Sequence, residues 1–103
     1  SLRGIDLQHE QQTIKDTAFL MQQMEWREEL SEISEQADPL RALESLEDEI
    51  NQTIKSDLIK LRNFLESDLT VAEQSAADII RQLKFSYKML SEILLKEDIL
   101  SDF

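Results

Sequence analysis

The residues of this chain that could do chemistry are few, and their spacing assembles no reaction centre. His9 is the only histidine, and no serine stands in a pattern that would give it a histidine base for nucleophilic attack. Acid pairs such as Glu28-Glu29 and Glu47/Glu49 follow from a composition with 22 acids in 103 residues rather than from a ligand pattern. A di-iron carboxylate bundle would need Glu-x-x-His elements facing inward, and the chain has none. There is no cysteine, so no disulfide can form and no thiolate can hold zinc or an iron–sulfur cluster. No phosphate loop or dinucleotide fingerprint occurs. Asn51-Gln52-Thr53 formally matches a glycosylation acceptor but lies deep inside a helical stretch. The expectation is a chain without enzymatic activity, without a cofactor and without a metal site.

What remains is binding chemistry. Over residues 13–33, Phe19, Trp26, Leu30 and Ile33 fall on one side of a helix, the pattern of a core face. Leu20, Met21 and Met24 fall on another side, and Glu25, Glu28 and Glu32 project into that same half. A helix packed on one face has no use for this second apolar group. Methionine suits an adaptable binding surface, and fully buried acids are rare. Two readings fit: an exposed site, or a helix buried on two sides. Phe85 poses the same question, projecting more than ~120° away from its helix's main stripe at ~100° per residue. It is either an exposed anchor for a partner or is covered by a second neighbouring helix.

Three helices are expected to position these residues, over about 14–36, 39–67 and 71–98. Gly4 marks a turn, and residues 1–12 lack periodicity. Thr13 with Asp16 three residues on can cap the first helix. Asp38-Pro39 reads as N-cap followed by first-turn proline. Thr70-Val71-Ala72-Glu73 is a capping box for the third helix, with Leu69 placed to staple it. The second helix carries Leu43, Leu46, Ile50, Ile54, Leu61, Phe64 and Leu65 at helical spacing. The third carries a stripe of Ala72, Ala76, Ile79, Leu83, Leu90 and Leu94, with Tyr87 packed near it. Short connections make consecutive helices antiparallel. The fold class is therefore all-α, a three-helix antiparallel bundle of long helices. One glycine and one proline argue against an all-β domain, which needs turn residues at short intervals.

Charge narrows the partners. Eleven basic residues against 22 acids give a formal net charge of -11. Such a surface repels phosphate backbones and anionic lipid, so neither nucleic acid nor membrane is expected as a partner. A partner with a basic patch would be steered toward it. No apolar run approaches the ~18 residues of a membrane span.

The run Gln12-Thr13-Ile14-Lys15-Asp16-Thr17-Ala18-Phe19-Leu20-Met21, continued by Met24-Glu25-Trp26-Arg27-Glu28-Glu29-Leu30, resembles the C-terminal domain of the HscB family. These are the J-type co-chaperones of bacterial iron–sulfur cluster assembly. Ala76-Ala77-Asp78-Ile79-Ile80-Arg81-Gln82-Leu83-Lys84-Phe85 and the ending Asp102-Phe103 resemble it too; the middle helix is markedly different. The resemblance implies a cytoplasmic, non-enzymatic adaptor whose C-terminal bundle binds the cluster scaffold IscU. In such proteins an N-terminal J-domain stimulates the DnaK-type chaperone HscA. That domain and its His-Pro-Asp signature are absent here, and residues 1–12 resemble the end of the interdomain linker. The scaffold-binding positions carry over onto Leu20, Met21, Met24, Glu25, Glu28, Glu32 and Phe85. Met24 stands where many relatives have leucine, and Trp26 where a smaller aliphatic is common. The alternative is a structural bundle that homo-oligomerises through the Leu20/Met21/Met24 side.

Overall fold

In the computed structural model the described residues are 2–67 and 72–102, with side chains over 9–67 and 76–102. They form three long helices: α1 (Leu2–Ser31), α2 (Pro39–Glu66) and α3 (Ala72–Ser101), with a 3₁₀ turn at Ile33–Glu35. The all-α, three-helix architecture is the expected one. The molecule is a rod of 61 × 27 × 15 Å.

The break between α1 and α2 is built as its residues dictate. Asp38 is the N-cap of α2; its side chain accepts from the Arg41 amide, and Pro39 fills the first turn. The proline gives up no hydrogen bond there, because that amide has no intrahelical partner in any helix. The capping box at Thr70 and the Leu69 staple lie outside the described residues.

The N-terminus differs from the expectation. α1 begins at Leu2, not near Thr13. Gly4 is helical rather than a turn, with no positive φ. Thr13 does not cap; its hydroxyl donates to the His9 carbonyl one turn back, and Thr17 does the same to Thr13. The physical reason is that extending an existing helix costs far less than nucleating one. A hydroxyl inside a helix can also bond backward as readily as it can cap. α3 likewise runs on to Ser101, a turn past the expected end.

α2 and α3 supply most of the core. Leu43, Leu46, Ile50 and Ile54 of α2 meet Ile79, Leu83, Met89 and Ile93 of α3, with Trp26 and Ile33 closing the side. Three sequence assignments are corrected. Leu65 is 76% exposed, Leu94 49% and Tyr87 48%. In α3 the buried line runs through Ile79, Leu83, Ser86, Met89 and Ile93, a spacing of three and four that tracks one helix face. Leu94 lies about 100° from Ile93, so both cannot lie at the centre of that face.

α1 lies against both of these helices. Gln12 donates to Asp78, the rings of Phe19 and Phe85 meet, and Arg27 reaches Glu92 at 3.9 Å. Partner numbers rise together along both chains, so α1 and α3 run parallel, as an up-down-up order requires.

Candidate partner-binding site

The site is built from the outer side of α1. Phe19, Trp26, Leu30 and Ile33 turn inward: Trp26 is 1% exposed and Ile33 3%. With ~100° between residues, that commitment forces Leu20, Met21 and Met24 outward. They are 56%, 57% and 69% exposed. Leu20 and Met24 are four apart and Met21 and Met24 three apart, so the three side chains are neighbours on one helix surface. Glu28 follows Met24 by one turn, and Glu25 follows Met21 by one turn; Glu25, Glu28 and Glu32 are all exposed. The two open readings of this helix are decided: its second apolar group faces solvent.

Phe85 is placed differently from an exposed anchor. Its ring stacks on Trp26 at 6.0 Å between centroids and 5° between planes, and meets Phe19 edge-on at 6.2 Å. The Arg27 guanidinium lies over it at 5.3 Å from the ring centroid. Phe85 is thus half-buried on α3 and covered by α1, the second of the two readings open for it, and it does not stand free as an exposed anchor. The cause is the parallel packing, which sets Phe85 level with Phe19 and brings it under α1. Level placement still brings it beside the α1 surface: Arg27, which covers it, lies seven residues from Leu20, on the same line of the helix.

Arg27 is the residue that sequence reasoning missed. It covers the Phe85 ring and pairs with Glu92. The signal for it is a cation next to a buried tryptophan, which means little until an aromatic from another helix arrives beside it.

Electrostatically the α1 surface is graded. Glu29, beside Glu25 and Glu49, has its carboxyl pushed above the usual range, by burial first and then by those two neighbours. The inner edge of α1 toward α2 is therefore crowded with negative charge. A shallow groove of ≈ 340 Å³ lies between α1 and α3 near Phe19, lined among others by Lys15, Asp16, Asp78 and Arg81. It has charged walls and no cluster of acid–base partners. Among the described residues no group of three His, Cys, Asp or Glu side chains could hold a metal ion. Nor is any described helix long and apolar enough to cross a membrane.

An exposed Leu/Met surface rimmed by acids, on a rigid bundle helix, defines a protein-binding helical domain. The comparisons give that class a family: residues 15–94 match the family model described as the HSCB C-terminal oligomerisation domain, and the chain belongs to that family. It is 55% identical over 99% of its length to the co-chaperone protein HscB homolog of Pseudoalteromonas atlantica, covering 58% of that protein. It is 46% identical over 97% of its length to the homolog of Shewanella woodyi, again covering 58% of it. The chain thus spans under three fifths of the curated relatives it matches. No solved structure matches it. Membership of a co-chaperone family makes this a non-enzymatic domain.

Proposed function

We propose that this chain is the part of a J-type co-chaperone that binds the iron–sulfur cluster scaffold IscU. Leu20, Met21 and Met24 form the apolar centre of its docking surface, Glu25, Glu28 and Glu32 the acidic rim, and Phe85 the edge. The observation that carries the reading is the exposure of three large apolar side chains on one face of α1, whose opposite face turns Trp26 into the core. Residues 1–12 then lead from a J-domain that engages the DnaK-type chaperone HscA, and the complete protein works in the cytoplasm. The iron–sulfur cluster is cargo of the scaffold and needs no ligand from this chain. The chain by itself does not stimulate the chaperone's ATP hydrolysis.

Each large apolar side chain removed from water contributes at most ~1.5–3 kcal/mol. Binding must also offset lost translational and rotational freedom, so a micromolar affinity is expected. The acids set orientation and encounter rate more than affinity, and their part fades as salt rises. Calorimetric titration of the scaffold with single variants tests this. Leu20→Ala or Met24→Ala should weaken binding about tenfold, close to 1.4 kcal/mol, with helicity and melting unchanged. Glu28→Ala should weaken it less, and less still at high salt. Unchanged scaffold affinity in Leu20→Ala and Met24→Ala would place the docking surface elsewhere.

A second reading is self-association through the same α1 surface, favoured by the family's description as an oligomerisation domain. It requires that Leu20→Ala lower the solution mass of the chain.

A further inference from the structure

Sulfur in this chain is confined to three thioethers. There is no cysteine, and the methionines are Met21, Met24 and Met89. The fold divides them sharply. Met89 is 0% exposed in the core between α2 and α3, whereas Met21 and Met24 stand in solvent at 57% and 69%. Reaction with a two-electron oxidant follows exposure, so two of the three sulfurs are open to one and the third is shielded. The lone tryptophan, another oxidisable side chain, is buried.

Met21 and Met24 are three residues apart on α1, which sets their Cβ atoms about 5–6 Å from each other. Both lie beside exposed Leu20, at the apolar centre of the outward surface. Leucine has a similar volume and would be tolerated at either place, so packing demands no thioether there. What the thioether adds is a sulfur lone pair that reacts with peroxide. Glu25, Glu28 and Glu32 around it are exposed, and the whole chain carries -11. Such a field holds off anionic oxidants and leaves neutral hydrogen peroxide unopposed.

We propose that Met21 and Met24 form a paired modification site, at which hydrogen peroxide reversibly closes the docking surface of α1. The proposal rests on the scaffold reading of that surface. The thioether sulfur attacks one peroxide oxygen. An S–O bond forms and the O–O bond breaks. The departing hydroxide takes the proton left on the transferred oxygen and becomes water. Each sulfur loses two electrons and each peroxide gains two. Reversal needs a dithiol reductant, which removes the oxygen as water and is left as a disulfide, with one reductase for each sulfoxide epimer.

Oxidation turns a flexible apolar side chain into a polar one. The sulfoxide oxygen accepts a hydrogen bond, and a partner pocket shaped for leucine and methionine offers no donor. Docking would leave that oxygen buried and unpaired, which is the costly arrangement. Two such oxygens on one contact act together. The fold itself is spared, because the methionine that packs the core is the shielded one.

In the test, the whole chain is treated with hydrogen peroxide, the excess is destroyed with catalase, and the product is mapped by mass and titrated with the scaffold. Two added oxygens are expected in the tryptic peptide Asp16–Arg27, which holds Met21 and Met24, and none in Met89–Lys96. Helicity and melting should match the untreated chain. Scaffold affinity should fall about tenfold or more and return after treatment with reductases of both epimer specificities and a dithiol. For Met21→Leu/Met24→Leu the readout is the ratio of its own affinities before and after peroxide, which should not move. Oxidation of Met89 as fast as of Met21 and Met24 overturns the proposal. So does a parent chain whose affinity survives full oxidation of both, or a loss that persists in the double variant. Leu20→Ala separates the two ways to fail. If it weakens binding while the oxidised parent binds as before, the docking surface stands and its oxidation has no effect. If it leaves binding unchanged, the docking surface is elsewhere and this proposal falls with it.

Discussion

The side chain that ties the two ends of this account together is Trp26. It faces the core, yet it is the floor on which Phe85 rests. Trp26→Ala should cost about 3–5 kcal/mol in urea unfolding, as for other buried aromatics, and the lone tryptophan's emission should be blue-shifted in the folded chain. Phe85→Ala removes the stacked ring and the surface beneath Arg27, so it should lower stability by about 2 kcal/mol as well as weaken scaffold binding. A Phe85→Ala variant that melts like the parent would mean the ring carries no packing. Asp57 is the opposite case, a carboxyl only 3% exposed on the core side of α2. Burial pushes its pKa above the ordinary 3.8, partly opposed by Lys60. The folded chain therefore holds that proton more tightly than the unfolded chain. Its favourable contribution is full below 3.8 and is lost as pH rises through the folded value. Asp57→Asn should accordingly stabilise the protein at pH 7 by about 1 kcal/mol and do nothing at pH 3, read from denaturant midpoints at both pH values.

At the scale of the element, α1 is one helix with two commitments, and α2 shows how a single junction is specified. The Asp38 carboxylate on the Arg41 amide at 3.3 Å, with Pro39 beside it, starts α2 where the sequence says it must. Asp38→Ala should cost about 1 kcal/mol, measured as a drop in the urea midpoint with unchanged slope. A loss below a few tenths would show that the junction is held by Ile33 packing under the 3₁₀ turn instead. The shared lesson is directional. A cap fixes where a helix begins, but nothing in a helix-compatible segment forbids it from beginning earlier, which is why α1 extends back to Leu2 despite Gly4 and Thr13.

For the whole molecule, charge is the largest unbalanced quantity. A net charge of -11 is spread over a thin rod with little interior in which to separate acids. Glu97 is pushed above its usual range by burial, with Glu47 and Glu44 adding to it across the α2/α3 seam, and Glu29 is raised in the same direction. Each raised carboxyl binds its proton more tightly in the folded state, so stability should rise as pH falls from 7 through the range in which these groups take up protons. Salt at pH 7 should act in the same sense by screening the repulsion. Urea midpoints at pH 7 and pH 5, with and without 0.5 M sodium chloride, check both. A midpoint that is lower at pH 5 and also falls with added salt would show that attraction, not repulsion, dominates the surface.

The sequence by itself determined the fold class, because 3.6-residue periodicity, a cap with proline and the near absence of glycine leave no other architecture. It also set Leu20, Met21 and Met24 apart from the core face: once Phe19, Trp26, Leu30 and Ile33 occupy one side of a helix, residues about 100–200° away point off it. That they point to solvent and not into a second neighbour was decided by the packing. Only the tertiary structure decided the fate of Phe85, since its neighbours Trp26 and Arg27 come from another helix and no local pattern encodes who arrives. The same holds for Leu94 and Tyr87: each sits at the margin of the α3 stripe, and whether a margin is covered depends on the register and tilt of α2. Helix phase is a property of the chain. Cover is a property of the neighbours, and it was cover that set the half-buried ring of Phe85 apart from the three exposed side chains of Leu20, Met21 and Met24.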